Sequence, residues 1–424
     1  MRPLSYNWSK MSNKVIIIGA GAAGLMAAVA AVSNGSEVTV YDGNEKVGKK
    51  IYITGKGRCN FTNACYISDF FDNIVSNDKF LYSALYSFTN DDAVKFFEDN
   101  GCPIKIERGN RAFPVSDKSS DIIKTLERYV RRAGVNIVLN TKVTSIHIVN
   151  NQACGVRLDN GKVDKSDKVI IATGGKSYQA TGSTGDGYRF AKDLGISVTT
   201  LRPSLVPLEA KEVYIRDMQG LSLRNVKLSI YDGNKRVYED FGEMLFTHFG
   251  VSGPLVLSAS SNIGRLLENG NKLRTAIDLK SALSYKKLED RILREIDSNK
   301  NKEIKYLLSG LLPAKMVGCF IDLLNIDEHL KLNEFTKDNR NDLINLLKAF
   351  PFTITGLRGF NEAIITQGGI DVGEINPSTM ESKKIKGLFF AGEVIDIDAL
   401  TGGFNLQLAF STGHLAGLSA SEDN

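Results

Sequence analysis

The chain has 424 residues, 42% of them hydrophobic and 24% charged, with a formal net charge of +5. These proportions belong to a globular chain of two or three domains with a sizeable core, and they exclude a disordered or low-complexity protein. The basic residues are dispersed, so the charge points to small anionic ligands and gives no reason to expect nucleic acid.

Residues 1–10, MRPLSYNWSK, fit no fold element and read as a tail, or Met11 reads as the natural start. Residues 15–32, VIIIGAGAAGLMAAVAAV, contain no charged or polar side chain. Such a run raises the question of a membrane span or a secretion signal. It divides, however, into a β-branched piece and an Ala-rich helical piece, with Gly19, Gly21 and Gly24 spaced as G-x-G-x-x-G. Asn34-Gly35 ends the helix, and EVTVY forms a second strand that leads to Asp42. Strand, glycine turn, helix, strand and acid together predict a dinucleotide site and no membrane span. Gly19 makes the tight turn, Gly21 admits a pyrophosphate, and Gly24 lets helix and sheet pack closely. The N–H groups at the helix start, around Ala22 and Ala23, face the phosphates. Asp42 accepts from the ribose hydroxyls.

After the second strand comes NEKVGKKIYITGKGRCNFTN, residues 44–63, rich in Gly, Lys and Arg. A nicotinamide-dependent dehydrogenase would place an ordinary helix there. A loop holding Lys50, Gly57, Arg58 and Asn60 suits a longer extended cofactor, and FAD is such a cofactor. Helical patterns follow in DDAVKFFEDNG and SSDIIKTLERYVRRAG. TKVTSIHIV and ACGVRLDNGKV read as a hairpin-like pair with Asp159-Asn160-Gly161 at a turn. Val143, in this pair, is placed where such folds lend backbone to the adenine. VIIATGG, residues 169–175, is a strand returning to the cofactor through Ala172, Thr173 and Gly174.

Pro203 and Pro207 mark a boundary. Alternating runs to about residue 260 predict a compact β domain, and residues 282–347 turn helical. PFTITGLRGFNEAIITQGGI returns to strands. Near the end, residues 386–417 hold an apolar strand ending in Ala391-Gly392-Glu393, then Gly402-Gly403 opening a small-residue helix. Glu393 is expected on the ribitol. The helix N-terminus at Gly403, Phe404, Asn405 and Leu406 is expected at the flavin edge, where its dipole favours negative charge. The expected fold is α/β: a Rossmann-like FAD domain from 11–200 plus 372–424, a barrel-like β insert from 201–281 plus 351–371, and a helical subdomain from 282–350.

TGKGRCNFTN, ATGGKSYQATGSTGDGYRFA, MLFTHFGVSGPLVL, INPSTMESKKIKGLFFAGEVID and TGGFNLQLAFSTG resemble the bacterial YhiN/BaiN-like flavoprotein family over nearly the whole chain. The resemblance implies an FAD-binding oxidoreductase. Family members are linked to reduction of ring double bonds in bile-acid intermediates and to oxidation of aminoacetone. The motifs do not choose between a C=C reductase and a small-amine oxidase releasing H2O2. An RNA-modifying flavoprotein and a non-catalytic redox sensor are alternatives of another class. No second G-x-G-x-x-G follows a strand, so NAD(P)H is expected at most as a transient electron donor.

Flavin performs the redox step, so polar groups near it are the candidates for proton transfer and charge stabilisation. Arg58, by resemblance beside the flavin, would stabilise negative charge on it, or simply hold its loop. His248, one of four histidines, could act as proton donor or base; it reads nearly as well as a loop-holding residue. Tyr178 and Arg358 are weaker candidates of the same kind. The five cysteines, 59, 65, 102, 154 and 319, are odd in number without a Cys-x-x-Cys pair. They read as reduced thiols of a cytoplasmic protein, with Cys59 as a small buried apolar residue and no metal site.

Overall fold

The computed structural model describes residues 13–268 and 270–422, so the reading of residues 1–10 and Met11 lies outside the described residues. The chain divides into two compact units. One holds the described residues up to Arg202 and from Ile364 onward; the other is Pro203–Ala363.

The first unit is built on a five-stranded parallel sheet. Its order is Leu388–Phe390, Lys168–Ile171, Lys14–Ile18, Glu37–Tyr41, Asn136–Val138. Val15, Ile16 and Ile17 have no exposed surface. A parallel strand covered on both faces needs such an unbroken apolar run. The eighteen-residue opening stretch is therefore a central strand, a turn and a buried helix, Ala22–Ser33. Among the described residues no helix is long and apolar enough to cross a membrane.

That helix packs against the last one, Phe404–Ser421, and glycine makes the contact possible. A Cβ on Gly413 would fall 2.3 Å from the Ala23 carbonyl oxygen, and one on Gly417 would fall 2.2 Å from that of Ala27. The four-residue step on both helices shows that they run parallel. Gly413 lies much deeper in its helix than Ala23 does. At 1.5 Å per residue the two N-termini are staggered by about 12 Å along a common direction.

The pair expected as a hairpin is Val143–Val149 with Gln152–Leu158, antiparallel. Its turn is Asn150-Asn151, with φ of 48° and 63°, the left-handed pair that suits a two-residue hairpin. The Asp159-Asn160-Gly161 turn instead leads on to a third strand, Val163–Lys165. Residues 364–371, expected with the insert, hydrogen-bond within the first unit: Ile370 N–H donates to Val394 O and Asp371 N–H to Ser197 O.

The second unit is a closed antiparallel barrel. Its strands, in order, are Leu208–Ala210, Gly250–Ser252, Lys235–Thr247, Ser222–Asp232, Leu273–Asp278 and Phe350–Leu357. The β pattern does not run to residue 260 as expected: Pro254–Leu267 is a helix with Pro at its first turn. Proline pre-sets φ there and gives up only an N–H that has no helical acceptor. Four helices between Tyr285 and Lys348 pack on the barrel. Leu288, Ile292 and Ile296 of one helix share a single core with Leu228, Ile277 and Phe350 of the strands.

Candidate cofactor site

The glycine turn sits at the carboxyl end of the central strand, where open α/β sheets bind ligands. Gly19 has a φ of +106°, and a Cβ there would fall 2.5 Å from the Ala172 carbonyl oxygen. A Cβ on Gly24 would fall 1.8 Å from the Gly19 carbonyl oxygen. At Gly21 a Cβ would meet nothing within 4 Å. The turn is thus closed on its protein side and open at the helix start. No side chain caps that helix and no acid lies in its first turn. Its first N–H groups, at Ala22, Ala23 and Gly24, have no acceptor within the helix. Such an end suits a pyrophosphate.

Asp42 holds this turn from outside. One carboxylate oxygen accepts from Ala20 N at 2.7 Å, and the other from the backbone and side-chain nitrogens of Asn44, both at 2.8 Å. A carboxylate oxygen takes two donors, so Oδ2 keeps room for a hydroxyl. Val143 is buried in its strand.

Across the sheet a second group of candidates meets. Lys50 Nζ lies 2.5 Å from Glu393 Oε2 and 2.6 Å from Ser177 Oγ. Glu393 Oε1 accepts from Ser177 Oγ at 2.9 Å and from Thr366 N at 2.7 Å. Lys50 and Glu393 were visible in the sequence; Ser177 and Thr366 were not singled out. Ser177 follows the ATGG turn and could have been found from it, whereas nothing around Thr366 signals its role.

The last helix begins at Gly403, with a φ of +98° and no side-chain cap. Its first N–H groups, at Phe404, Asn405 and Leu406, again lack helical acceptors. The Asn405 side chain is spent within the chain: Oδ1 accepts from Ala399 N at 2.9 Å and Nδ2 donates to Ala399 O at 2.7 Å. A Cβ on Gly403 would fall 2.4 Å from the Thr62 carbonyl oxygen and 2.9 Å from Asn60 Oδ1. Asn60 Oδ1 and Thr173 Oγ1 are buried without a hydrogen-bond partner among the described residues. Two orphaned oxygens, two staggered helix N-termini and two carboxylates fit an extended dinucleotide with a polyol chain. Gly392, with a φ of +77°, brings the strand end against Ala23. Gly174 also takes a left-handed φ, +73°.

Arg58 is more committed than its place in the GRCN loop suggests. Its Nη2 lies 2.5 Å from Glu107 Oε1 and 2.6 Å from Asp117 Oδ1, and the guanidinium stacks 4.3 Å over Phe113. A hydrogen bond from Arg58 holds the Glu107 carboxyl below its usual range, and hydrogen bonds from Lys105 and Arg58 do the same for Asp117. Between Gly57 and Arg58 on one side and Asn60 on the other, Cys59 takes a φ of 60° and is fully buried. Burial pushes its thiol pKa up, away from reactivity. Tyr178 also has a left-handed φ, 53°.

The second unit brings two further candidates together. Arg358 stacks 4.5 Å over Phe249, whose ring lies 4.9 Å from that of the exposed His248. Arg358 Nη1 pairs with Glu209 at 2.9 Å and Nη2 with Glu362 at 2.6 Å. Phe249 and the two acids were not foreseen.

Comparison with known proteins follows the same lines. Residues 13–419 match the family model described as HI0933-like protein Rossmann domain. The 3-dehydro-bile acid delta(4,6)-reductase of Clostridium scindens is 31% identical over 97% of this chain and 99% of its own length. The ribosomal RNA dihydrouridine synthase of Haemophilus influenzae is 32% identical over 96% of this chain and 98% of its own. Among solved structures, a 3-ketosteroid-delta4-(5alpha)-dehydrogenase from Rhodococcus jostii covers all of both chains with a TM-score of 0.53 at 16% identity. At that identity the likeness is one of fold.

Proposed function

The chain belongs to the HI0933-like family, and we propose that it is an FAD-dependent oxidoreductase that reduces a carbon–carbon double bond conjugated to a carbonyl, in a small or steroid-like molecule. The observation that carries this reading is the pair of parallel, staggered helix N-termini, each opened by glycine and each free of a capping side chain.

In this reading the N–H groups of 22–24 bind the pyrophosphate and Asp42 binds the ribose. Lys50 and Glu393 hold the ribityl hydroxyls. The N–H groups of 404–406 face the flavin edge, and their dipole favours negative charge there. FAD held by these residues would supply the hydride chemistry for the double bond. His248, on the second unit, is proposed as the proton source that completes the addition of two hydrogens. Arg358, held by Glu209 and Glu362, would orient Phe249 and His248. NADH or NADPH replaces the electrons from outside.

Two differently named relatives support a shared chemistry. A 3-dehydro-bile acid delta(4,6)-reductase reduces ring double bonds in a ketone. A dihydrouridine synthase adds hydrogen to uridine, whose ring double bond is also conjugated to a carbonyl. The two relatives are equally similar to this chain, which favours uridine in ribosomal RNA as the second reading.

An anaerobic titration of purified protein with NADH and then NADPH tests both. Bleaching of the flavin band, reversed by a 3-oxo-4,6-diene steroid, is the expected result. Reversal by a ribosomal RNA fragment alone supports the second reading. No bleaching by nucleotide, with peroxide formed from aminoacetone once air is admitted, overturns both in favour of an amine oxidase.

A further inference from the structure

The chain re-enters the first unit at Ile364, and Thr366 follows in the short strand Ile365–Gln367, with no exposed surface. Its hydroxyl oxygen accepts the N–H of Lys176 at 2.7 Å and that of Ser177 at 3.1 Å. Its own N–H donates to Glu393 Oε1 at 2.7 Å. One residue thus ties the loop after Gly174 to the carboxylate beyond the strand Leu388–Phe390. Ser177 closes the ring by donating to the same Glu393 oxygen and accepting from Lys50 Nζ.

The arrangement leaves little freedom. A Cβ on Gly175 would fall 2.5 Å from Thr366 Oγ1 and 2.8 Å from Glu393 Oε1. Glu393 Oε1 already takes two protein donors, and Oε2 takes Lys50 alone. One acceptor site therefore stays open on Oε2, in a direction set by Thr366 and Ser177.

We propose that Thr366 is a positioning residue for the cofactor. It touches no part of FAD, and it fixes where Glu393 and Lys50 meet the ribityl hydroxyls. This rests on the flavin reading given above.

The test is FAD binding to apoprotein, followed by quenching of FAD fluorescence, together with the visible spectrum of the bound flavin. Thr366→Val keeps the volume and removes the acceptor; Thr366→Ser keeps the acceptor. The expected result is binding weakened roughly tenfold or more in Thr366→Val, with a shifted flavin spectrum. Thr366→Ser stays within about twofold of wild type. In a Glu393→Ala background, Thr366→Val adds little further loss, because the two act through one carboxylate. Wild-type affinity in Thr366→Val, or an equal loss with and without Glu393, overturns the proposal. Should Thr366→Val not fold, Ser177→Ala takes its place in the same cycle with the same two outcomes. Wild-type protein that takes up no FAD overturns the flavin reading itself, before any variant is compared.

Discussion

The helix Ala22–Ser33 is begun by backbone alone. Gly21 caps it without a side-chain hydrogen bond, and the closure behind it is the contact of Gly24 with the Gly19 carbonyl. The helix Phe404–Ser421 is begun by side chains as well. Asn405 pairs with Ala399 like a neighbouring strand, and the fully buried Gln407 accepts from Thr62 Oγ1 at 2.7 Å and donates to Phe88 O at 3.1 Å. Both give the same product, a row of N–H groups without helical acceptors. A turn made by backbone is broken by adding atoms, and one made by side chains is broken by removing them.

Glycine substitutions probe that difference most sharply. Gly24→Ala is expected to cost about 3 kcal/mol or to prevent folding, because backbone on the far side cannot yield; denaturant titration measures it. Gly21→Ala should fold with stability within about 0.5 kcal/mol of wild type, since its Cβ meets open space. It should nonetheless lose FAD affinity, and normal FAD binding would show that the pyrophosphate lies elsewhere.

At the other helix, Gln407→Leu should cost about 2 kcal/mol by leaving the buried Thr62 hydroxyl without its acceptor and the Phe88 carbonyl with Ser411 Oγ as donor in place of two. An unchanged unfolding midpoint would mean that the side chains there are dispensable. Asp42→Ala should lower FAD affinity roughly tenfold, about 1.4 kcal/mol. Full flavin occupancy that survives dilution would remove Asp42 from the ribose.

The smallest effect concerns His414 in the last helix. Its Nδ1 lies 3.0 Å from Ser87 Oγ and its ring stacks on Phe88. Burial holds its pKa below the usual value, against an opposing pull from Asp92. The unfolded chain therefore binds this proton first, near pH 6.5. Stability present above that pH is lost as pH falls towards the lower folded value. His414→Phe should flatten this part of the Tm profile as pH falls through about 6.5.

Much of the first unit was legible because its signals are local. Gly19, Gly21 and Gly24 answer to steric demands within a few residues, and the strands on either side of the first helix are short apolar runs. The helix Pro254–Leu267 was missed because its apolar run, after Gly253, reads equally well as a strand. Arg58 reads by resemblance as a flavin neighbour or as a residue that holds its loop, and its partners Glu107 and Asp117 lie on a separate hairpin and in the turn beyond it. The same holds for Arg358 and its contact with Phe249.

The sequence by itself determined the dinucleotide turn, the parallel sheet around it and the flavoprotein resemblance, since each depends on residues adjacent along the chain. Only the tertiary structure decided that the two helices run parallel with staggered starts, and that Lys50, Ser177, Thr366 and Glu393 form one cluster. Those residues are separated by up to 343 positions, and hydrogen bonds act over about 3 Å whatever the sequence distance. Spacing along a chain carries no record of such contacts until the sheet has brought its strands together.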